Sequence, residues 1–193
     1  MAKTPHIVFI HGLNCSGKIF THLQHKLPKH RSTMIDYNSG LSVEDSLQTA
    51  LEELPDEPFS IVSHSLGGII GHLIAGRTDV PLEKLVTIST PFGGSDVAGK
   101  LKWFYPSWKV FRDLAPGSSI LKECKKASLV HPFLSIVSIS GNLPLISGEN
   151  DGVVSVASQR AIAATKRVDI AANHFEVVQD AHTISEVKKF IFD

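Results

Sequence analysis

The sequence predicts an α/β protein with a doubly wound, mostly parallel sheet, folded as one domain over residues 1–193. Three observations carry this. Six short runs, His6–His11, Arg31–Tyr37, Phe59–Ser63, Leu85–Ser89, Phe133–Ser140 and Lys166–Ala171, are mostly rich in β-branched residues. Most are apolar on both faces, as strands covered from both sides are. Helical patterns lie between them, the alternation that builds parallel sheets. A chain of 193 residues suits one domain and buries roughly 70% of its unfolded surface, enough for a full core.

The first strand runs into His11-Gly12-Leu13-Asn14-Cys15-Ser16-Gly17-Lys18. Gly12, Gly17 and Lys18 have the spacing of a phosphate-cradling loop, G-x-x-x-x-G-K-[ST]. Ile19 stands where a Ser or Thr would bind magnesium, so the phosphate reading fails. His22 and His25, three apart on the next helix, have no evident third ligand and read as a solvated face, so no metal is expected.

Ser42-Val43-Glu44-Asp45 resembles a capping box and opens a helix with Leu47, Leu51 and Leu54 on one face. Gly67 to Arg77 is a small, apolar helix. Ser155 to Thr165 reads as an alanine-rich helix, and Thr183-Ile184-Ser185-Glu186 as a second capping box that opens a final helix through Phe192. No repeat or low-complexity tract interrupts the order.

One region breaks the rhythm. More than forty residues separate Ser89 from Phe133, and they hold Trp103, Phe104, Tyr105, Trp108 and Phe111. Long excursions in small domains tend to be binding loops or lids. The spacing of Trp103, Phe104, Trp108 and Phe111 approximates one helical stripe, split where Pro106 stops the helix. Residues 95–132 are therefore expected to form a short, aromatic-rich cap or lid. Those four aromatics would wall an apolar pocket; an ordinary surface helix with its stripe packed down is the plainer alternative.

Charge and cysteine content bound the rest. Nineteen basic and nineteen acidic side chains cancel, leaving no net excess to hold nucleic acid. No apolar run reaches membrane-spanning length, and the N-terminal run is too short for a signal-peptide core. A cytoplasmic location is expected. Cys15 and Cys124 are the only cysteines, expected as free thiols, with a pairing left open.

Phe59 to Leu73, FSIVSHSLGGIIGHL, joins a buried strand directly to a small-residue helix. Ser63-His64-Ser65-Leu66-Gly67 has the layout of a nucleophile elbow, G-x-S-x-G. Strand and helix backbones crowd there, so the residues two before and two after the nucleophile must be small. Gly67 meets this need and Ser63 departs from the usual glycine. Ser65 sits at a helix N-terminus, where free N–H groups favour negative charge.

From FIHGLN, SHSLGG, STPFGGSD, DLAPGSSIL and ENDGVVSV, in that order, the chain resembles the α/β-hydrolase superfamily, in particular its small lipase- and esterase-like members. The likeness covers nearly the whole chain and implies a minimal form of that fold. It implies a serine hydrolase of carboxylic esters, with no cofactor and an acyl ester or lipid as substrate. The His-Gly loop then supplies an oxyanion donor from the Leu13 N–H, and Leu66 supplies the second.

The acid and base follow Ser65 in this fold. Asp151 matches the family's acid loop, with Glu149 as neighbour and runner-up. Asp113 and Asp169 read as structural. Of ten histidines, His174 follows the last strand at the carboxyl end of the sheet, where such sites gather; His182 is the alternative base. A thioesterase or amidase would use the same residues. A non-catalytic protein binding an apolar ligand or partner through the aromatic excursion is the reading from another class.

Overall fold

Both faces of β1 (His6–Ile10) are buried: Ile7 and Phe9 point one way, Val8 and Ile10 the other. A strand with no polar face must be sandwiched, and the sheet is built accordingly. The computed structural model describes residues 4–193. Five further strands, β2 (Arg31–Ile35), β3 (Phe59–His64), β4 (Leu82–Ile88), β5 (Phe133–Ser138) and β6 (Lys166–Ile170), join it in the order β2-β1-β3-β4-β5-β6. Every neighbouring pair is parallel.

The helices are α1 (Thr21–Lys26), α2 (Val43–Glu52), α3 (Leu66–Ala75), α4 (Asp96–Phe104), α5 (Val110–Asp113), α6 (Ser119–Lys126), α7 (Val156–Gln159) and α8 (Ala181–Phe192). One face of the sheet packs Val8, Ile61 and Leu85 against Leu47 of α2, Ile70 of α3 and Leu121 of α6. The other packs Phe9, Val86 and Leu134 against Leu23 of α1 and Val187 of α8. Each such side chain contributes about 1.5–3 kcal/mol by leaving water. Strand order reverses between β1 and β3, so the crevice at their carboxyl ends is where a site is expected in an open α/β sheet.

Two helices depart from the sequence reading. The alanine-rich segment stops at Gln159 because the Ser158 carbonyl accepts from Gly93 N at 2.9 Å and from Ala161 N at 3.2 Å. That carbonyl is spent on a loop beside β4, so tertiary contact overrides propensity. The last helix starts at Ala181, capped by the Asp180 carboxylate, which accepts from His182 N and Thr183 N. Thr183 is inside the helix, not its cap, and its hydroxyl is buried without a partner. The Ser42 cap stands, accepting from Asp45 N at 3.1 Å. No helix among the described residues is long and apolar enough to cross a membrane.

Candidate active site

The junction of β3 and α3 holds Ser65 at φ 54°, ψ −121°. A side chain there costs about 1–3 kcal/mol, so surrounding contacts must impose the turn. Ser65 N donates to the Ile88 carbonyl at 2.8 Å, and Gly68 N donates to the Ser65 carbonyl at 2.9 Å. A Cβ on Gly67 would lie 2.2 Å from the Ile10 carbonyl oxygen and 2.4 Å from that of His11. Only glycine lets α3 come this close to the end of β1. The extra hydroxyl of Ser63 is accommodated: it donates to the Val86 carbonyl at 2.9 Å, in space left by Gly71.

Three side chains from separate elements meet beside this turn. Ser65 Oγ is 3.0 Å from His174 Nε2, and His174 Nδ1 is 2.7 Å from Asp151 Oδ2. All three are buried. A carboxylate only accepts, so Nδ1 carries the proton and Nε2 is left bare to accept from the serine hydroxyl. Asp151 is held on every side. Its Oδ1 accepts from Val153 N and Val154 N at 2.9 and 2.7 Å. Its Oδ2 also accepts from Ser138 Oγ at 2.5 Å and Gln159 Nε2 at 3.1 Å. Burial pushes the Asp151 carboxyl up. Hydrogen bonds and charge from His174, with the bonds from Ser138 and Val154, outweigh this and hold it below its ordinary range.

The sequence did not flag Ser138, Gln159 or Ser89. Because Ser138 gives its one proton to Asp151, Ser89 Oγ, at 2.6 Å, is the donor to Ser138. The available signal was position: Ser89 follows β4 and Ser138 ends β5, polar residues at the same edge as Ser65.

His64, next to Ser65 in the chain, is not idle. Its Nε2–H donates to the His174 backbone carbonyl at 2.8 Å, and the two rings lie 4.9 Å apart. Its Nδ1 is buried without a partner. Burial, and then the nearby His174, push His64 down to about 3. Burial likewise pushes His72 down to about 4. Both stay neutral in the fold at pH values where the unfolded chain protonates them. Unfolding then takes up protons, and stability falls as pH drops below about 6.5. Between pH 7 and 5 each histidine is expected to cost about 2 kcal/mol. Urea midpoints at pH 7 and pH 5 measure this; equal midpoints would contradict it.

The loop after β1 leans on the elbow, since a Cβ on Gly12 would be 2.9 Å from Ser65 Cβ. It is braced by Tyr37 OH, which donates to the His11 carbonyl at 2.6 Å, and by Ser39 Oγ, which accepts from Asn14 N at 2.9 Å. Leu66 is the first residue of α3, so its N–H has no helical acceptor. Leu13 N–H finds no acceptor among the described residues. Lys18 lies in a short 3-10 turn (Gly17–Phe20), not at the start of an α-helix as a phosphate loop requires.

A cleft of about 470 Å³ opens over Ser65, walled by Leu13, Leu101, Trp108, Phe111 and His174. Trp108 and Phe111 thus line this cleft. Trp103 and Phe104, expected beside them, do not: they stand 79% and 78% exposed on the outer side of α4. Helix α4 ends at Phe104, so the expected stripe is divided between two faces. His182 lies on the exposed side of α8, 3.7 Å from Glu186, and Glu149 faces solvent. Asp113 accepts from Val43 N, and Asp169 pairs with Arg160.

Cys15 and Cys124 are free thiols. A second cavity of about 470 Å³ is lined by His72, Cys124, His131 and Phe133. Burial pushes the Cys124 thiol up to about 12, so no thiolate forms there near neutrality. Among the described residues no three His, Cys, Asp or Glu side chains gather as metal ligands.

No family model matches the chain, and no curated protein does. Solved structures do. The mature lipase BlEst2 of Bacillus licheniformis matches at a TM-score of 0.79 and 19% identity, over 99% of this chain and 93% of that one. Phospholipase PlaB of Legionella pneumophila matches at 0.78 and 15%, over 100% of this chain but only 60% of its own. A metagenomic carboxyl esterase, MGS0156, matches at 0.70 and 14%, over 98% and 72%. The chain has the α/β-hydrolase fold.

Proposed function

We propose that the protein is a serine hydrolase of carboxylic esters. The observation that carries this reading is the hydrogen-bond line from Ser65 through His174 to Asp151, set at a strained strand-to-helix turn and facing an apolar cleft. In this mechanism His174 Nε2 takes the Ser65 proton as Oγ forms a bond to the ester carbonyl carbon. The resulting oxyanion accepts from the Leu13 and Leu66 N–H groups, each worth about 3–4 kcal/mol in the transition state. The carbon–oxygen bond to the alcohol then breaks, and His174 returns its proton to that alcohol. Water, deprotonated by His174, cleaves the acyl-enzyme and restores Ser65. Asp151 holds the Nδ1–H tautomer and stabilises the imidazolium that forms twice per cycle.

Residues 95–132 supply the acyl side of the pocket through Leu101, Trp108 and Phe111. Esters and lipids are the substrate class this wall suits. The lipase and esterase fold neighbours are compatible with it. No step draws on a metal or nucleotide. Turnover of p-nitrophenyl esters from acetyl to decanoyl, undiminished in excess EDTA and without ATP, is the expected outcome. No turnover across the series would favour the binding-protein reading. ATP binding that is lost in Lys18→Ala would restore the phosphate loop.

A further inference from the structure

Over the whole chain positive and negative charges cancel, but between Asp96 and Asp113, the latter close enough to feel Arg112 and Lys109, residues 97–112 hold Lys100, Lys102, Lys109 and Arg112 and no acid. Lys109 reaches Asp45 at 3.8 Å. Lys100, Lys102 and Arg112 have no carboxylate within salt-bridge distance among the described residues. The same stretch presents Trp103, Phe104 and Tyr105 to solvent, three consecutive large aromatics more than half exposed. Single exposed apolar side chains are ordinary; a contiguous cluster marks a surface that meets something. Lys102 Nζ lies 5.5 Å from the Trp103 ring centroid, and a groove of about 510 Å³ runs between Lys102, Trp103, Pro106 and Arg112.

The helix is two-faced. Val97, Ala98 and Leu101 of α4 line the Ser65 cleft, while Trp103 and Phe104 stand on its outer side. Aromatic rings that rest at head-group depth, ringed by basic side chains, are the chemistry of interfacial membrane attachment. Bare lysines and an arginine complement anionic head groups. A nucleic acid would instead call for a longer basic track, which the rest of the chain, with 15 basic against 19 acidic side chains, does not extend.

We propose that the outer face of α4 and the turn that follows dock the protein on an anionic phospholipid surface. Trp103 and Phe104 insert among the head groups. Lys100, Lys102 and Arg112 lie against lipid phosphates, with the groove seating one of them. The docking does not rest on the hydrolase reading.

Vesicle flotation tests the docking, with Ser65→Ala protein so that no lipid is consumed. Phosphatidylcholine vesicles containing phosphatidylglycerol are expected to carry the protein, and pure phosphatidylcholine vesicles at least tenfold less, with binding weakened by salt. Lys100→Glu/Lys102→Glu should lower vesicle affinity by about thirtyfold. The same double substitution in active protein should leave turnover of a soluble acetyl ester unchanged, which shows that the fold is intact. Trp103→Ser/Phe104→Ser should also release the protein from vesicles. Absence of binding to either vesicle, equal binding to both, or unchanged binding by both double variants would overturn the proposal. So would binding to a DNA duplex or an acidic polypeptide in place of vesicles. Failure of the hydrolase reading is separate, being read from soluble esters alone.

Discussion

Ser65→Ala and His174→Ala are each expected to lower ester turnover by about 10⁴–10⁶-fold. The size follows from the contacts. Ser65 Oγ has His174 Nε2 at 3.0 Å as its base, and an alcohol without a base is a poor nucleophile near neutrality. Because the two act as one unit, the double variant should be little worse than either single. Asp151→Asn keeps the shape but puts an amide donor where a carboxylate oxygen accepted from the surrounding donors. It should cost about 10⁴-fold by favouring the wrong His174 tautomer. His182→Ala should retain most activity, since that ring faces solvent beside Glu186. Steady-state kinetics on one soluble ester decides the matter. Loss in His182→Ala with retention in His174→Ala would show the base assignment to be wrong.

Trp108→Ala is expected to lower kcat/KM for long acyl esters by about ten- to a hundredfold and to leave acetyl esters nearly unchanged. Trp108 stacks on Phe111, with centroids 5.6 Å apart and planes 12° apart, and both rings line the cleft. Losing one large apolar contact with substrate forfeits about 1.5–3 kcal/mol. An acetyl group does not extend to that wall. Kinetics across a chain-length series measures the effect. Equal losses for acetyl and decanoyl esters would mean that Trp108 supports the fold and not the pocket. So would a lowered melting temperature with unchanged rates per folded molecule.

How much of this was legible in the sequence depended on range. The inner strands β1, β3, β4 and β5 were visible because burial on both faces leaves a largely apolar run, whereas the edge strands β2 and β6 keep exposed polar residues. β4 begins earlier than expected, at Leu82, because Glu83 and Lys84 hid its start; Lys84 escapes burial by donating to the Phe190 carbonyl at 2.8 Å. The elbow was legible because its strand, serine and helix are consecutive in the chain, although the contact that demands glycine at position 67 comes from the distant Ile10 and His11 carbonyls. Asp151 was named through its match to the family's acid loop and His174 through its place after the last strand, and they lie within hydrogen-bond reach of one another in the fold.

What supports them was hidden. His64 meets the His174 carbonyl across 110 positions, and Ser89 meets Ser138 across 49. No periodicity encodes such pairs. The aromatic excursion was half legible. Pro106 announced the break, but nothing local told which rings would turn inward.

The central claim is that Ser65 is a nucleophile activated by His174. A fluorophosphonate probe, followed by peptide mass analysis, tests it most directly, because covalent capture requires both the hydroxyl and its base. The account predicts one adduct, on Ser65, formed rapidly by the native protein and suppressed in His174→Ala. An unlabelled native protein, or an adduct on another residue that survives Ser65→Ala, would contradict it.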